Sequence, residues 1–353
     1  MHKMKIIVAV LNWGMGHASR SIPVITALKA EGFEPVLASD GEALLLLRKE
    51  FPELQWLELP SYNITYPRKG SLMKLHFLLK CPQILKAIRA ENRILKAFIA
   101  AEIGVGGIIS DNRFGAFAEG IPSAYITHQL RVFSGSTTSF SSLFHQFIIR
   151  KYTECWVPDL EGPGNLSGRM SHGISVKQPV RYLGILSRFK KKEVELKYQL
   201  LVLLSGPEPQ RSLLEEKLLQ ELPGYKGKIL FIRGKILGSS VPAVGTGMEI
   251  KNYLSGSALE EALNSAELVL ARSGYSTIMD LAALGKKAFF VPTPGQFEQE
   301  YLASRLQQKN IAPYCSQKDF RLKEIEKVST FAGFSTPSPG RSLSGVFALF
   351  KGE

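Results

Sequence analysis

Two stretches of this 353-residue sequence hold side chains whose types and spacing could do chemistry. The first is Asn12-Trp13-Gly14-Met15-Gly16-His17, directly after the apolar run Ile6–Leu11. Glycines at 14 and 16 let the chain turn sharply after a strand and approach a ligand closely. A helix starting near Ala18 would aim its free N–H groups and positive end at the mouth of that loop. His17 stands at the mouth, where an imidazole can serve as a base near neutral pH. Asp111, after the apolar run Gly107–Ser110, is the second candidate base, or else a cap for a following helix. His128 and Gln129 stand at the end of the next run, Ser123–Thr127, whereas His76, His145 and His172 read as structural or surface groups.

The second stretch is Leu270–Tyr301. Arg272-Ser273-Gly274 follows a strand and can present backbone amides and hydroxyls. Tyr275, Ser276 and Thr277 lead into a helix, and Asp280 lies one turn on. A carboxylate near a helix N-terminus suits the dipole, so capping alone would account for it. Beside a phosphate-binding turn it can also accept both hydroxyls of a ribose. The loop Pro292–Gln296 then leads into Phe297-Glu298-Gln299-Glu300, a polar cluster at a strand's carboxyl end, where open α/β sheets bind ligands.

The elements that must position these groups alternate strand and helix. Met4–Leu11, a helix from about Ser19 to Glu31 closed by Gly32, Phe33–Ser39 and Gly41–Glu50 open the chain. Gly107–Ser110 and Ser123–Thr127 are further strands, separated by a short helix-like stretch. After a basic linker around Arg188–Lys197 the pattern restarts with strand Gln199–Leu204, loop Ser205–Pro209 and helix Gln210–Leu222. Strands Lys228–Ile232, Glu267–Ala271 and Ala288–Val291 follow, with helices Leu259–Asn264 and Thr277–Leu284 between. Such alternation implies parallel sheets covered on both faces. The expected architecture is α/β, two Rossmann-like domains facing across a cleft. Their spans are 1–187 and 188–334, with a tail at 335–353 that folds back on the first domain.

Composition narrows the setting. Hydrophobic residues at 45% and charged residues at 21% suit globular domains with their own cores. Cys81, Cys155 and Cys315 are far apart and lack metal spacing, which points to a reducing, cytoplasmic environment. No run is apolar for the ~18 residues a membrane span requires. The formal net charge is +13, and Pro60–Ala100 alone carries eight Lys/Arg against one acid, Glu91. That excess points to an anionic partner. Within 67–100 an apolar stripe interleaved with Lys/Arg reads as a half-buried helix, or as a contact with anionic lipid at the inner face of a membrane. Aromatic residues are not interleaved with the cations as a nucleic-acid stacking surface would require.

The C-terminal stretch resembles the nucleotide-sugar signature of glycosyltransferase family 28, which includes the lipid II-forming peptidoglycan N-acetylglucosaminyltransferase. It is also similar to the wider UDP-glycosyltransferase group. The shared features are Arg272-Ser273-Gly274, Thr277, Asp280, Ala282–Gly285, Val291-Pro292 and Gln299-Glu300, over roughly 45 residues. Weaker parallels are GMGH, Thr127-His128-Gln129, Gly184–Arg188 and LLSGPEP. The resemblance implies a GT-B fold and a UDP-sugar donor. It implies Thr277 and the backbone of Tyr275–Ser276 at the diphosphate or sugar, Asp280 at the ribose, and Gln299 and Glu300 at sugar hydroxyls. Ser205 and Gly206 would meet a phosphate, Arg188 the nucleotide and Leu254 the base edge, with His17 near the acceptor. The sequence departs from the family in Asp280 for Glu, Gln-Glu for Gln-Gln, and SGPEP for a more glycine-rich loop.

The five aspartates, at 40, 111, 159, 280 and 319, form no Asp-x-Asp pair for a divalent metal. The expectation is therefore a metal-independent, inverting transfer without a cofactor, to a hydroxyl acceptor such as a lipid-linked or cell-envelope glycan. Backbone amides, hydroxyls and Arg would stabilise the leaving diphosphate. A nucleotide-sugar hydrolase or epimerase would use the same donor site. Gly-x-Gly with Asp40 ending the second strand keeps an NAD-type oxidoreductase in view. A non-enzymatic anionic-surface binder would account for the charge alone.

Overall fold

The computed structural model describes residues 3–63, 73–235, 247–335 and 343–352, with side chains of 73–81 set aside. The chain divides into two units, Met1–Arg188 with Pro339–Glu353, and Phe189–Ser338.

In the first unit, β1 (Lys5–Val10) leads to α1 (Met15–Ala30), β2 (Glu34–Ser39), α2 (Gly41–Glu50), β3 (Trp56–Glu58) and α3 (Met73–Ala101). Then come β4 (Val105–Asp111), β5 (Ser123–Ile126), α4 (Thr138–Ile149), β6 (Glu154–Val157) and β7 (Val180–Tyr182). These strands form one sheet in the order β3-β2-β1-β4-β5-β6-β7, every neighbouring pair parallel. A parallel sheet covered on both faces needs near-continuous apolar strands, and Ile6–Val10 is buried throughout. The helix expected between β4 and β5 is absent: residues 112–122 form turns and irregular loop. Asn92 of α3 holds that loop by donating to the carbonyls of Gly115 and Phe117.

In the second unit, β8 (Tyr198–Leu203), α5 (Gln210–Glu221), β9 (Ile229–Ile232), β10 (Met248–Lys251), α6 (Gly256–Asn264) and β11 (Ala266–Ala271) are followed by α7 (Tyr275–Leu284), β12 (Lys287–Phe290) and α8 (Phe297–Gln308). The sheet order is β10-β9-β8-β11-β12, again parallel throughout. Its core joins Leu200, Val202, Phe231, Leu270 and Phe289 to Leu214 and Leu218 of α5. Full burial of each such side chain contributes about 1.5–3 kcal/mol.

The last described residues belong to the first unit. Phe347 and Phe350, the latter on α9 (Ala348–Lys351), pack edge-on against Phe33 and lie beside Trp156. Gly107 makes room for them, since a Cβ there would lie 2.3 Å from the Phe350 ring. Cys155 is buried and Cys315 half-buried, both as free thiols. Among the described residues no helix is long and apolar enough to cross a membrane.

Candidate active site

Each sheet reverses its order once, between β1 and β4 and between β8 and β11. Ligands of open α/β sheets bind outside the strand ends at such reversals. Both stretches singled out in the sequence sit there.

In the first unit Val10 pairs with Asp111 across the reversal. Gly14 caps α1 with φ 78, a left-handed conformation that favours glycine. The helix begins at Met15, earlier than the sequence pattern suggested, so His17 is its third residue rather than part of the loop. That position turns the ring onto β4, with His17 Nδ1 2.8 Å from Asp111 Oδ1. Arg20, one turn on, donates from Nε to Asp111 Oδ2 at 2.6 Å and from Nη2 to Oδ1. Ser21 adds a 3.3 Å bond to Oδ2.

Burial opposes ionisation of Asp111, but the Arg20 charge, then His17, and hydrogen bonds from both hold the carboxyl far below the usual carboxylate range. Nδ1 of His17 lies 2.8 Å from both Asp111 Oδ1 and Arg20 Nη2; paired with the carboxylate, Nδ1 carries the proton and the lone pair is at Nε2. Burial first, and the Arg20 charge second, hold His17 below its ordinary value. The imidazole is therefore neutral at neutral pH. This corrects both readings of Asp111: no helix follows for it to cap, and a carboxylate this strongly held anionic is a poor base. It orients His17 instead.

His128 lies at the same place, its Nδ1 3.0 Å from Arg20 Nη1. The Gln129 backbone is held on both sides: its N–H donates to Thr127 Oγ1 and its carbonyl accepts from His145. His145 is buried and held down to about 4 by that burial. Asp40 accepts from Arg113 and, at 3.1 Å, from Asn12. Its carboxylate already neutralises a fully buried guanidinium, which removes the ribose contact that an NAD-type reading requires.

In the second unit Leu203 pairs with Ala271, and Ala271 with Phe290. The loops after β8, β11 and β12 therefore leave the sheet side by side. Gly274 caps α7 without any side-chain capping bond. The amides of Ser276 and Thr277 lie in the first turn of α7, where helix N–H groups have no intrahelical acceptor and the helix end favours anions. Asp280 lies beyond the first turn, so capping does not account for it. It shares a face with Thr277, and both are half-buried. Ser205 and Gly206 are exposed on the loop after β8, and Leu254 is half-buried in the loop between β10 and α6.

Four predicted contacts turn inward. Arg272 is 1% exposed and donates to the carbonyls of Val291, Pro292 and Gln210 and to Gln317, all within 3.0 Å. It braces three loops rather than facing a ligand. Ser273 bonds the Gln299 carbonyl at 2.8 Å, and the Gln299 amide oxygen accepts from Thr293 N–H at 2.9 Å. Arg188 falls in the first unit, 3.5 Å from Glu50 of α2. Glu300 stays exposed and accepts from Gly295 N–H at 3.1 Å. Replacing Arg272 by Met is expected to destabilise the second unit by roughly 3 kcal/mol or more, at about 1–3 kcal/mol per stranded buried acceptor. Calorimetric melting checks this: an unchanged transition would mean the brace carries no stability.

Arg20 and Arg113 had escaped notice in the sequence. The only local signal for Arg20 was its spacing of three from His17 on one helical face.

Residues 213–331 match the model of the glycosyltransferase family 28 C-terminal domain. Along most of its length the chain is similar to the UDP-N-acetylglucosamine–N-acetylmuramyl-(pentapeptide) pyrophosphoryl-undecaprenol N-acetylglucosamine transferase of Glaesserella parasuis, 26% identical and covering 88% of this chain and 85% of that one. The second unit thus carries the match to the family 28 C-terminal domain, and the chain as a whole is similar to glycosyltransferases of that type. Among solved structures, the glycosyltransferase VinC in complex with dTDP superposes with a TM-score of 0.68 at 12% identity, covering 99% of this chain and 100% of that one. MurG of Acinetobacter baumannii gives 0.58 at 14%, covering both chains fully. These family 28 and GT-B relatives share the two parallel α/β units described above.

Proposed function

We propose that the chain transfers a sugar from a UDP-linked donor, held by the second unit, to a hydroxyl of a lipid-linked acceptor. The step is a single in-line, inverting displacement. One observation carries the reading: a histidine at a strand reversal whose Nδ1 lies 2.8 Å from a carboxylate held well below the usual range by the Arg20 guanidinium. His17 Nε2 takes the acceptor proton as the acceptor oxygen attacks the anomeric carbon. The leaving diphosphate departs toward the α7 amides and the Ser205–Gly206 loop, where donors already aimed at the developing charge lower the barrier. The sequence has no Asp-x-Asp pair, which supports doing this without a divalent metal. The relatives' names make UDP-N-acetylglucosamine the first donor to try. Calorimetry against a panel of nucleotide-sugars is expected to select a UDP-sugar, with donor turnover rising when lipid-linked acceptors are added. No binding across the panel would overturn the reading. Donor cleavage indifferent to acceptor would favour a hydrolase instead.

We further propose that the first unit works against anionic lipid in a reducing, cytoplasmic setting. Part of the basic segment 67–100 lies outside the described residues, but α3 exposes Lys86, Arg89, Arg93 and Lys96. Beside it, α4 leaves Phe140, Leu143, Phe144 and Phe147 exposed along one face. Phe114 links the two helices, packing with Ile84 and Ile88 of α3 and edge-on to Phe144. An apolar face rimmed by cations suits insertion at a negatively charged bilayer surface. The protein is expected to float with anionic vesicles, and the Phe140→Ser/Phe147→Ser double variant to stay behind. Equal flotation on neutral vesicles would remove the electrostatic part.

A further inference from the structure

Arg20 meets Asp111, His17 and His128 of the first-unit site. Its Nε and Nη2 hold both oxygens of Asp111, Nη2 lies 2.8 Å from His17 Nδ1, and Nη1 lies 3.0 Å from His128 Nδ1. The side chain is 4% exposed, so water screens this charge poorly. A guanidinium does not lose its proton in proteins. The box around His17 therefore holds one fixed positive charge and one fixed negative charge, with His128 as the remaining titratable neighbour.

This balance answers a chemical problem. A carboxylate hydrogen-bonded to a histidine orients the ring, but its charge also favours the protonated form. A protonated imidazole cannot accept a proton. We propose that Arg20 is a positioning residue whose charge cancels that of Asp111, so that Asp111 can fix the tautomer of His17 without protonating it. The role goes beyond orientation by the carboxylate, and Arg20 touches no reacting atom. The kinetic consequence rests on His17 being the base of the proposed transfer. The ionisation itself does not.

The test reads His17 directly. Its ring resonances are followed by NMR across pH in the full-length wild-type protein and in Arg20→Gln, Arg20→Met and Arg20→Lys, with His17→Gln for assignment. Gln and Met both delete the charge, and Met retains the apolar stem should Gln disturb folding. In either, the His17 midpoint is expected to rise by at least about one pH unit, whereas Lys, which keeps the charge, leaves it near the wild-type position. The acid limb of turnover should move upward with it, so that the lost activity returns at higher pH. A merely structural arginine would lower the melting temperature of all three variants and leave the midpoint in place. An unmoved midpoint in the Gln and Met variants, or a Lys variant that shifts as far as Gln, overturns the proposal. A shifted midpoint with no matching change in turnover upholds the charge balance and removes His17 as the base.

Discussion

Replacing His17 by alanine is expected to cut sugar transfer about 10²–10⁴-fold, the range that a positioned general base supplies, while UDP affinity stays unchanged. The expectation rests on the geometry at the first reversal, where Nδ1 faces Asp111 and Arg20 and Nε2 is the ring nitrogen assigned to the acceptor proton. The ring lies on α1 of the first unit, and the predicted donor groups lie in the second. Donor binding and turnover should therefore separate. The pH dependence follows with a definite sign. Burial and the Arg20 charge hold His17 below the ordinary histidine value of 6.5. Turnover should be full at neutral pH and fall as pH drops below 6.5 through the lowered value. Stopped assays over pH 5–8 with calorimetry on the same preparations check both parts. Turnover within severalfold of wild type would remove His17 as the base, and a loss of UDP binding in parallel would mean the substitution had damaged the fold.

Asp280→Ala is expected to weaken UDP binding about 10–100-fold while leaving pyrophosphate binding unchanged. A hydrogen bond to a charged group contributes about 1.5–3 kcal/mol, and each 1.4 kcal/mol is tenfold in affinity. Asp280 stands beyond the first turn of α7, on the face of Thr277, while the helix-start amides lie nearer Gly274. On the proposed reading, ribose and diphosphate meet separate parts of one helix. Competition titrations with UDP, uridine and pyrophosphate distinguish them. Equal weakening of UDP and pyrophosphate would place Asp280 at the phosphates, and no weakening of either would take it out of the site.

Much of the fold could be read because parallel strands leave an unambiguous trace. Ile6–Val10 and Leu268–Ala271 are apolar runs too short for helices, each followed by small residues and an amphipathic stretch. Failures came where local pattern and tertiary need diverge. The residues after Asp111 looked helical, yet Ser110 and Asn92 hold that loop through its backbone. The start of α1 was placed late because Gly14 and Gly16 suggest loop, although glycine at the cap costs little. Short strands such as Trp56–Glu58 and Val180–Tyr182 carry too few residues to show a period.

The family signature from Arg272 to Glu300 lies in one continuous stretch, so local order alone was enough to suggest a nucleotide-sugar site and two Rossmann-like units. What each polar residue does there could not be read in the same way. Arg272 and Gln299 read as ligand groups in the sequence, and the structure partners them with groups of neighbouring loops, backbone and side chain. His17, Asp111 and Arg20 are separated by up to 94 residues, and no spacing rule connects them. Only the pairing of β1 with β4 brings them together, and only burial turns one carboxylate, one guanidinium and one imidazole into a neutral base. Charge balance depends on distance and dielectric, both of which arise when the chain packs.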